Sequence, residues 1–172
     1  MFRDPSTYCI INVKRLKMPM SHAAPDYLVT FKHYDKLPTR ISQFLDECGQ
    51  DLVCIDVGAN VGDSIASFDH SGNTDYRFLG VEPNPKFFSY LESNYANDHR
   101  VTLVNEICAE ENKVINASFT EIKGTANINE NLNGSQFVQR NLDTIIDDNK
   151  EFSQLNVIKI DTDGFDFDVI KG

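Results

Sequence analysis

The amino-acid sequence predicts an α/β protein with a doubly wound, mostly parallel sheet whose two faces are covered by helices. Apolar runs of strand length alternate with amphipathic segments of helical period along most of the chain. Residues 52–57 are apolar apart from Asp56, and residues 78–81 are also apolar, as expected for strands buried on both faces. The chain has 172 residues, which is enough for one domain with its own core.

The first 50 residues are predicted to form an N-terminal appendage to a main domain at residues 51–172. Residues 8–13 and 27–34 are rich in β-favouring side chains, so we expect two short strands there. Residues 39–48 carry apolar side chains at the spacing of one helical face, and Gly49 is placed to end that helix.

The main domain is predicted to alternate strands and helices. After the strand at residues 78–81, Asn84 can cap a helix that has Pro85 at its first position. The Asn-rich residues 127–136 are expected to form a polar loop. The other expected elements are short strands and helices within residues 101–104, 113–119, 142–146, 155–160 and 165–172.

Charge and composition exclude several classes of function. Lys and Arg total 16 against 26 Asp and Glu, a net charge of −10, which disfavours binding to nucleic acids and to anionic membrane surfaces. No apolar run is long enough to span a bilayer. The four cysteines form no Cys-x-x-Cys pair and the four histidines show no metal-binding spacing, so we expect reduced thiols, a cytoplasmic protein and no metal site.

The strongest functional signal is the segment at residues 56–63, between a strand and a helix. Gly58 permits a tight turn close to a ligand, Gly62 lets the helix begin near the sheet, and free amides there favour a carboxylate. Glu82 follows Gly62 by 20 residues, where its carboxylate can accept hydrogen bonds from ribose hydroxyls. The pattern predicts a nucleoside site, although Asn60 replaces the second glycine of the dinucleotide fingerprint.

A simpler interpretation gives these residues structural roles only. The two glycines would merely shape a turn between strand and helix, and Glu82 would merely stabilise the positive end of the next helix. Their occurrence in register on two consecutive strand–helix units favours the nucleoside site over this interpretation.

Four blocks of the sequence, in order, resemble the FkbM-type S-adenosylmethionine-dependent methyltransferases, a branch of the class I Rossmann-like methyltransferases. The blocks lie at residues 55–63, 81–85, 141–145 and 157–172. The family usually has Glu where this chain has Asp163 and Asp166, so charge is kept with a shorter reach. The resemblance also implies strands beyond Gly172, so we expect a chain that lacks the C-terminal strands of the fold and pairs as a homodimer through the exposed edge.

The resemblance implies S-adenosylmethionine as the cofactor. The turn would hold its methionine part with Asp56 near the ammonium, Glu82 would bind the ribose, and residues 105–109 would lie near the adenine. The implied cofactor-binding residues are Asp56, Gly58, Ala59, Asn60, Gly62, Asp63, Glu82, Pro83, Asn84, Asn105, Ala109 and Asp161.

The predicted reaction is transfer of a methyl group to a hydroxyl of a saccharide or small metabolite, a substrate class that rests on the resemblance. Methyl transfer from a sulfonium needs mainly alignment, and a carboxylate can accept the hydroxyl proton. Asp161 and Asp163 are the candidate catalytic residues, although Asp163 also suits a helix N-cap.

Two other functions remain open from the sequence. Residues 161–163 spell the Asp-x-Asp pattern with which many glycosyltransferases hold a divalent metal and a nucleotide sugar. A cofactor-binding fold can also serve as a non-catalytic nucleotide-binding module.

Overall fold

The computed structural model describes residues 4–172 and contains six helices and ten strands within that range. In chain order the elements are β1 (Ser6–Ile11), β2 (Lys14–Pro19), α1 (Ala24–Thr30), α2 (Lys36–Glu47), β3 (Val53–Val57), α3 (Asp63–Phe68), β4 (Arg77–Val81), α4 (Pro85–Tyr95), β5 (Val101–Val104), β6 (Ile107–Cys108), β7 (Lys113–Ile122), β8 (Thr125–Glu130), β9 (Ser135–Arg140), α5 (Leu142–Asp148), a 3-10 turn (Lys150–Phe152), β10 (Val157–Ile160) and α6 (Asp166–Lys171). None of the helices within residues 4–172 is both long and apolar enough to cross a membrane.

The central sheet is parallel throughout, in the order β10-β3-β4-β5, which confirms the predicted α/β class with a parallel sheet. On one face, Cys54 and Phe78 pack in a cluster with buried side chains of α2, α3 and α4. On the other face, Ile55 and Leu79 pack against α5, the 3-10 turn and α6. Successive strand residues point to opposite faces, so each central strand needs apolar side chains at nearly every position.

A second, mixed sheet has the order β6-β9-β7-β8, and its β8 and β9 correct the polar loop predicted at residues 127–136. The β8 sequence alternates polar with apolar residues, and Asn129 donates a hydrogen bond across to Thr120 of β7 at 3.1 Å. Asn131, just beyond β8, donates similarly to Ser118 at 2.8 Å. The asparagines therefore make cross-strand contacts, which the composition of the segment concealed.

The N-terminal segment also differs from its prediction. Residues 24–30 form the helix α1, where a strand was predicted from residue 27, because Pro25 sits in its first turn and favours a helix start. The strand β2 was not predicted; it pairs with β1, and its Leu16 and Met18 are fully buried in the cluster that contains Cys54. The described part of residues 1–50 thus shares a core with the central sheet.

Candidate functional site

The turn that follows β3 is held against both neighbouring strands. Gly58 has φ +81°, and a Cβ atom there would lie 2.0 Å from the backbone oxygen of Asp161, just after β10. On the other side, the N–H groups of Gly58 and Ala59 donate to the carbonyl of Val81 at 2.9 and 3.0 Å. Only glycine fits this position, since both the backbone conformation and the contact with Asp161 exclude a side chain.

Gly62 lies in close contact with helix α4. A Cβ atom at Gly62, where φ is +89°, would lie 2.2 Å from Cε2 of Tyr95. The Tyr95 hydroxyl donates to the carbonyl of Gly62 at 2.6 Å. The small residue therefore allows α4 to pack directly against the start of α3.

Four N–H groups of the turn that precedes α3 are engaged within the protein. Besides Gly58 and Ala59, the Asn60 N–H donates to Oε2 of Glu82 at 2.9 Å, and the Gly62 N–H donates to the carbonyl of Ala59 at 2.7 Å. These four N–H groups have partners within the protein, so none of the four is a free donor for an anionic group.

Glu82, directly after β4, points its carboxylate toward the turn. Its Oε2 accepts the hydrogen bond from Asn60, and its Oε1 accepts from the N–H of Asn84 at 2.8 Å. The residue is only 5% exposed. Each carboxylate oxygen can accept more than one hydrogen bond, so both can still accept hydrogen bonds from the hydroxyl groups of a ligand. Burial raises the pKa of Glu82 to about 7, although the two amides oppose this shift.

The raised pKa of Glu82 predicts a pH-dependent stability. Since the pKa lies above its ordinary value of 4.5, the folded protein keeps a proton that the unfolded chain releases, and stability falls as the pH rises toward 7. Asp56 shifts in the same direction but only to about 6. Between pH 6 and 7 we therefore expect Glu82 to lower the unfolding free energy by up to about 1.4 kcal/mol per pH unit.

Urea denaturation at several pH values, compared with Glu82→Gln, measures this contribution. The wild-type curve should fall more steeply than that of the variant between pH 6 and 7. The two proteins share every other ionisable group, so the difference between the curves reports on Glu82. Equal slopes would show that Glu82 keeps an ordinary pKa.

Glu82 lies on the wall of a cavity beside the glycine turn. Its apolar wall comprises Val57, Val81, Phe87, Ile107, Cys108, Ala126, Ile128 and Phe165, and its polar edge includes Gly58, Asn60, Asp161, Thr162 and Asp163. Pro83 also lies on the wall. The side chains from β8 were not predicted because they come from the supposed loop.

Two residues assigned to the adenine region lie off this wall. Asn105 uses its side-chain amide to donate to the carbonyl of Glu82 at 2.7 Å, so it supports the strand end from outside. Ala109 is buried, and its N–H donates to the carbonyl of Arg140 at 3.0 Å. Ile107 and Cys108, which lie between them in the chain, form the wall instead. Asn84 caps α4 by accepting from the N–H groups of Lys86 and Phe87, as predicted.

A second cavity also borders the turn and shares Gly58, Asn60, Asp161 and Asp163 with the first. Its wall is rich in charge. The remaining charged and aromatic residues on it are His22, Tyr27, Tyr34, Asp35, Asp63, Lys123 and Lys159. Burial and the nearby carboxylates raise the pKa of Tyr34 to about 12, so its phenol stays protonated at neutral pH.

Asp56 does not lie on the wall of either cavity. Its carboxylate is fully buried, and neither oxygen accepts a well-formed hydrogen bond from the described residues. Its nearest cation is Lys159, whose Nζ lies 3.0 Å from Oδ1. Burial raises the pKa of Asp56 to about 6, against the attraction of Lys159. Asp56 therefore does not contact the cavity itself but pairs with Lys159, which lies on the wall of the second cavity.

The two candidate catalytic residues both lie where the cavities meet. The side chain of Asp161 is 72% exposed. Asp163 has φ +51°, and its Oδ2 accepts a hydrogen bond from the N–H of Ala126 at 3.3 Å. The alternative N-cap role of Asp163 is wrong, because α6 begins three residues later with Phe165 at its N-cap.

The side chain of Asn60 is engaged within the protein. Its Nδ2 donates to the carbonyl of Gly124 at 2.6 Å, and its Oδ1 lies 3.2 Å from Nε2 of His22. Because Nδ1 of His22 accepts from the N–H of Ala24 at 3.1 Å, the neutral ring would carry its proton on Nε2 and donate it to Asn60. His22 is buried and contacts the turn through Asn60.

The described part of the chain contains no group of three or more His, Cys, Asp or Glu side chains arranged to hold a metal ion. All four cysteines, which lie within it, are free thiols.

Comparison with known proteins gives a match to one family model. Residues 56–172 match the model of the methyltransferase FkbM domain. No curated protein sequence matches the chain significantly.

Several solved structures are similar to part of this chain. A Pyrococcus horikoshii protein described as a transferase is 17% identical with a TM-score of 0.42, over 60% of this chain and 37% of its own. TYW2 of P. horikoshii, in complex with MeSAdo, is 15% identical with a TM-score of 0.40, over 61% and 37%. A Methanococcus maripaludis protein described as an S-adenosyl-L-methionine-dependent methyltransferase is 19% identical with a TM-score of 0.33, over 49% and 42%. The chain thus spans less than half the length of these structures.

Proposed function

Because this chain belongs to the methyltransferase FkbM domain family, we propose that it binds S-adenosylmethionine and transfers the methyl group to a hydroxyl of a saccharide or small metabolite. In this proposal the central sheet is the Rossmann-like, doubly wound sheet of class I methyltransferases. The observation that carries the proposal is the Glu82 carboxylate, which is buried, oriented by two amides and directed toward the glycine turn on a cavity wall.

The first cavity suits an adenosine. Its wall offers Ile107, Cys108 and Ile128 as apolar contacts for the faces of a purine, next to the Glu82 carboxylate as acceptor for ribose hydroxyls. Gly58 and Asn60 of the turn lie on the walls of both cavities. The methionine part would then extend past the turn into the second cavity.

The second cavity suits the reacting groups. S-Adenosylmethionine supplies an activated methyl group on a positively charged sulfur. Asp35, Asp63, Asp161 and Asp163 outnumber Lys123 and Lys159 on the wall, and a surplus of carboxylates favours a cationic ligand. The acceptor hydroxyl would enter here, and alignment of its oxygen with the methyl group and the sulfur would supply most of the rate enhancement.

Asp161 is the proposed general base, with Asp163 as the second candidate. As the oxygen–carbon bond forms and the carbon–sulfur bond breaks, the hydroxyl loses its proton to a carboxylate. Asp161 is exposed at the junction of the cavities, whereas Asp163 already accepts a hydrogen bond from Ala126. Tyr34 can donate a hydrogen bond to the acceptor but cannot serve as the base, since its phenol stays protonated.

Calorimetric titration with three ligands tests the proposed cofactor. We expect S-adenosylhomocysteine to bind, and NADH and UDP-glucose with Mn²⁺ to leave the heat signal unchanged. Binding of UDP-glucose with Mn²⁺ alone would favour the Asp-x-Asp glycosyltransferase, and binding of NADH alone would favour a dinucleotide enzyme. Either outcome would refute the methyltransferase proposal.

A homodimer and a cytoplasmic location stay predictions. Edge strands with unpaired backbone groups favour association between chains, and β10 is one edge of the central sheet, with Ile158 exposed on it. The cytoplasmic location rests on the unpaired cysteines.

A further inference from the structure

Lys159 lies at the centre of the charged contacts around the glycine turn. It is on β10, directly opposite Asp56 in the register with β3. Its Nζ lies 3.0 Å from Oδ1 of Asp56 and donates to the carbonyl of Gly58 at 3.4 Å. The side chain is 21% exposed and forms part of the second cavity wall. One ammonium group thus joins a buried carboxylate, the turn and the cavity.

The amino-acid end of the cofactor needs a partner for its carboxylate. The N–H groups of Gly58, Ala59, Asn60 and Gly62 are already used within the protein. The second cavity has two lysines on its wall, and of these Lys159 is the one that contacts the turn. A charged donor of this kind binds a carboxylate more strongly than a neutral amide does.

Lys159 keeps one N–H group for a ligand. An ammonium has three donors, of which one faces Asp56 and one faces the carbonyl of Gly58. Oδ2 of Asp161 lies 3.7 Å away, too far for a direct hydrogen bond. The buried Asp56 keeps Lys159 in place and charged, because an ion pair opposes the loss of its proton.

We propose that Lys159 binds the carboxylate of the cofactor's methionine part, and that the Asp63 carboxylate on the same wall faces its ammonium. This inference rests on the proposed function. It changes the role of Asp56, which the resemblance placed near the cofactor's ammonium, to that of a positioning residue acting through Lys159. It also explains why a turn with no free N–H among those four residues can accompany an amino-acid site.

Two adenosine ligands that differ only in the amino-acid part test this role. S-Adenosylhomocysteine carries the carboxylate and ammonium, whereas 5′-methylthioadenosine lacks both. We expect Lys159→Met to weaken S-adenosylhomocysteine about tenfold to a hundredfold, the effect of one charge-assisted hydrogen bond, and to change 5′-methylthioadenosine less than about twofold. Lys159→Arg keeps the charge and should retain most of the affinity for S-adenosylhomocysteine.

The double variant Asp56→Asn with Lys159→Met separates binding from folding. Loss of Lys159 alone leaves Asp56 buried without a cation, which destabilises the fold. The double variant removes both charges and should regain stability in thermal melts without regaining affinity for S-adenosylhomocysteine. Restored affinity would overturn the inference.

Two further results would also overturn the inference. Equal weakening of both ligands by Lys159→Met would show that Lys159 acts only through the shape of the turn, and unchanged affinity for both would show no role in binding. In either case the wild type still binds S-adenosylhomocysteine, so the proposed function survives. A wild type that binds neither ligand would refute the proposed function itself.

Discussion

Gly58→Ala is expected to lower the unfolding free energy by about 2–5 kcal/mol. The new Cβ atom would lie 2.0 Å from the backbone oxygen of Asp161 and 2.9 Å from its carbonyl carbon. Backbone atoms cannot rotate away as a flexible side chain can, so the ends of β3 and β10 would have to separate. The positive φ of +81° adds a second cost for any residue with a side chain.

Gly72→Ala is the matched control. Gly72 has a similar φ of +70°, but a Cβ atom there would meet no atom within 4 Å. We expect the unfolding free energy of this variant to fall by about 1–2 kcal/mol, which is the cost of the left-handed backbone alone. Urea denaturation of both variants separates the clash at Asp161 from the backbone term. Equal losses would mean that β10 does not press against the turn as described.

Glu82→Gln is expected to weaken binding of S-adenosylhomocysteine by at least a hundredfold. The ribose hydroxyls lose a carboxylate acceptor, and two charge-assisted hydrogen bonds contribute about 3 kcal/mol or more. A glutamine at position 82 also cannot accept hydrogen bonds from both backbone N–H groups that Glu82 accepts from. The two oxygens of Glu82 accept from the N–H groups of Asn60 and Asn84, so the NH₂ of a glutamine would face one of these donors.

Glu92→Gln is the control for Glu82→Gln, since Glu92 is an exposed carboxylate on α4 and lies on neither cavity beside the turn. Calorimetry should give this variant the affinity of the wild type. Thermal melts without ligand show whether Glu82→Gln remains folded. A folded Glu82→Gln variant with unchanged affinity would contradict the ribose role of Glu82.

Several elements were predictable because their signals are local. The N-cap at Asn84 followed by Pro85 specifies the start of α4 through side-chain chemistry within a few residues. The strands β3 and β4 were found because continuous burial demands a continuous apolar run. By contrast, residues 27–30 were predicted as a strand from intrinsic preference, although Pro25 just before them was a local signal for the helix.

Some residues of the site were likewise predictable from local sequence patterns, and others were not. The nucleoside hypothesis depended on Gly58 and Glu82, which belong to consecutive strand–helix units, and both lie on the first cavity as a pattern of that kind requires. The roles of His22, Lys159 and Ile128 had no recognisable pattern. His22 lies between β2 and α1, Lys159 lies on β10 and Ile128 lies on β8, and all three line a cavity.

The sequence by itself determined the α/β class, the order of the central strand–helix units and the position of the glycine turn, because hydrophobic periodicity and turn chemistry act over short stretches of chain. Only the tertiary structure decided which hydrogen-bonding groups of that turn remain for a ligand. The N–H groups of Gly58, Ala59 and Asn60 are satisfied by Val81 and Glu82, and the nearest cation to Asp56 is Lys159, more than 100 residues away in the chain. Such pairings depend on strand register and burial, which no short stretch of sequence contains.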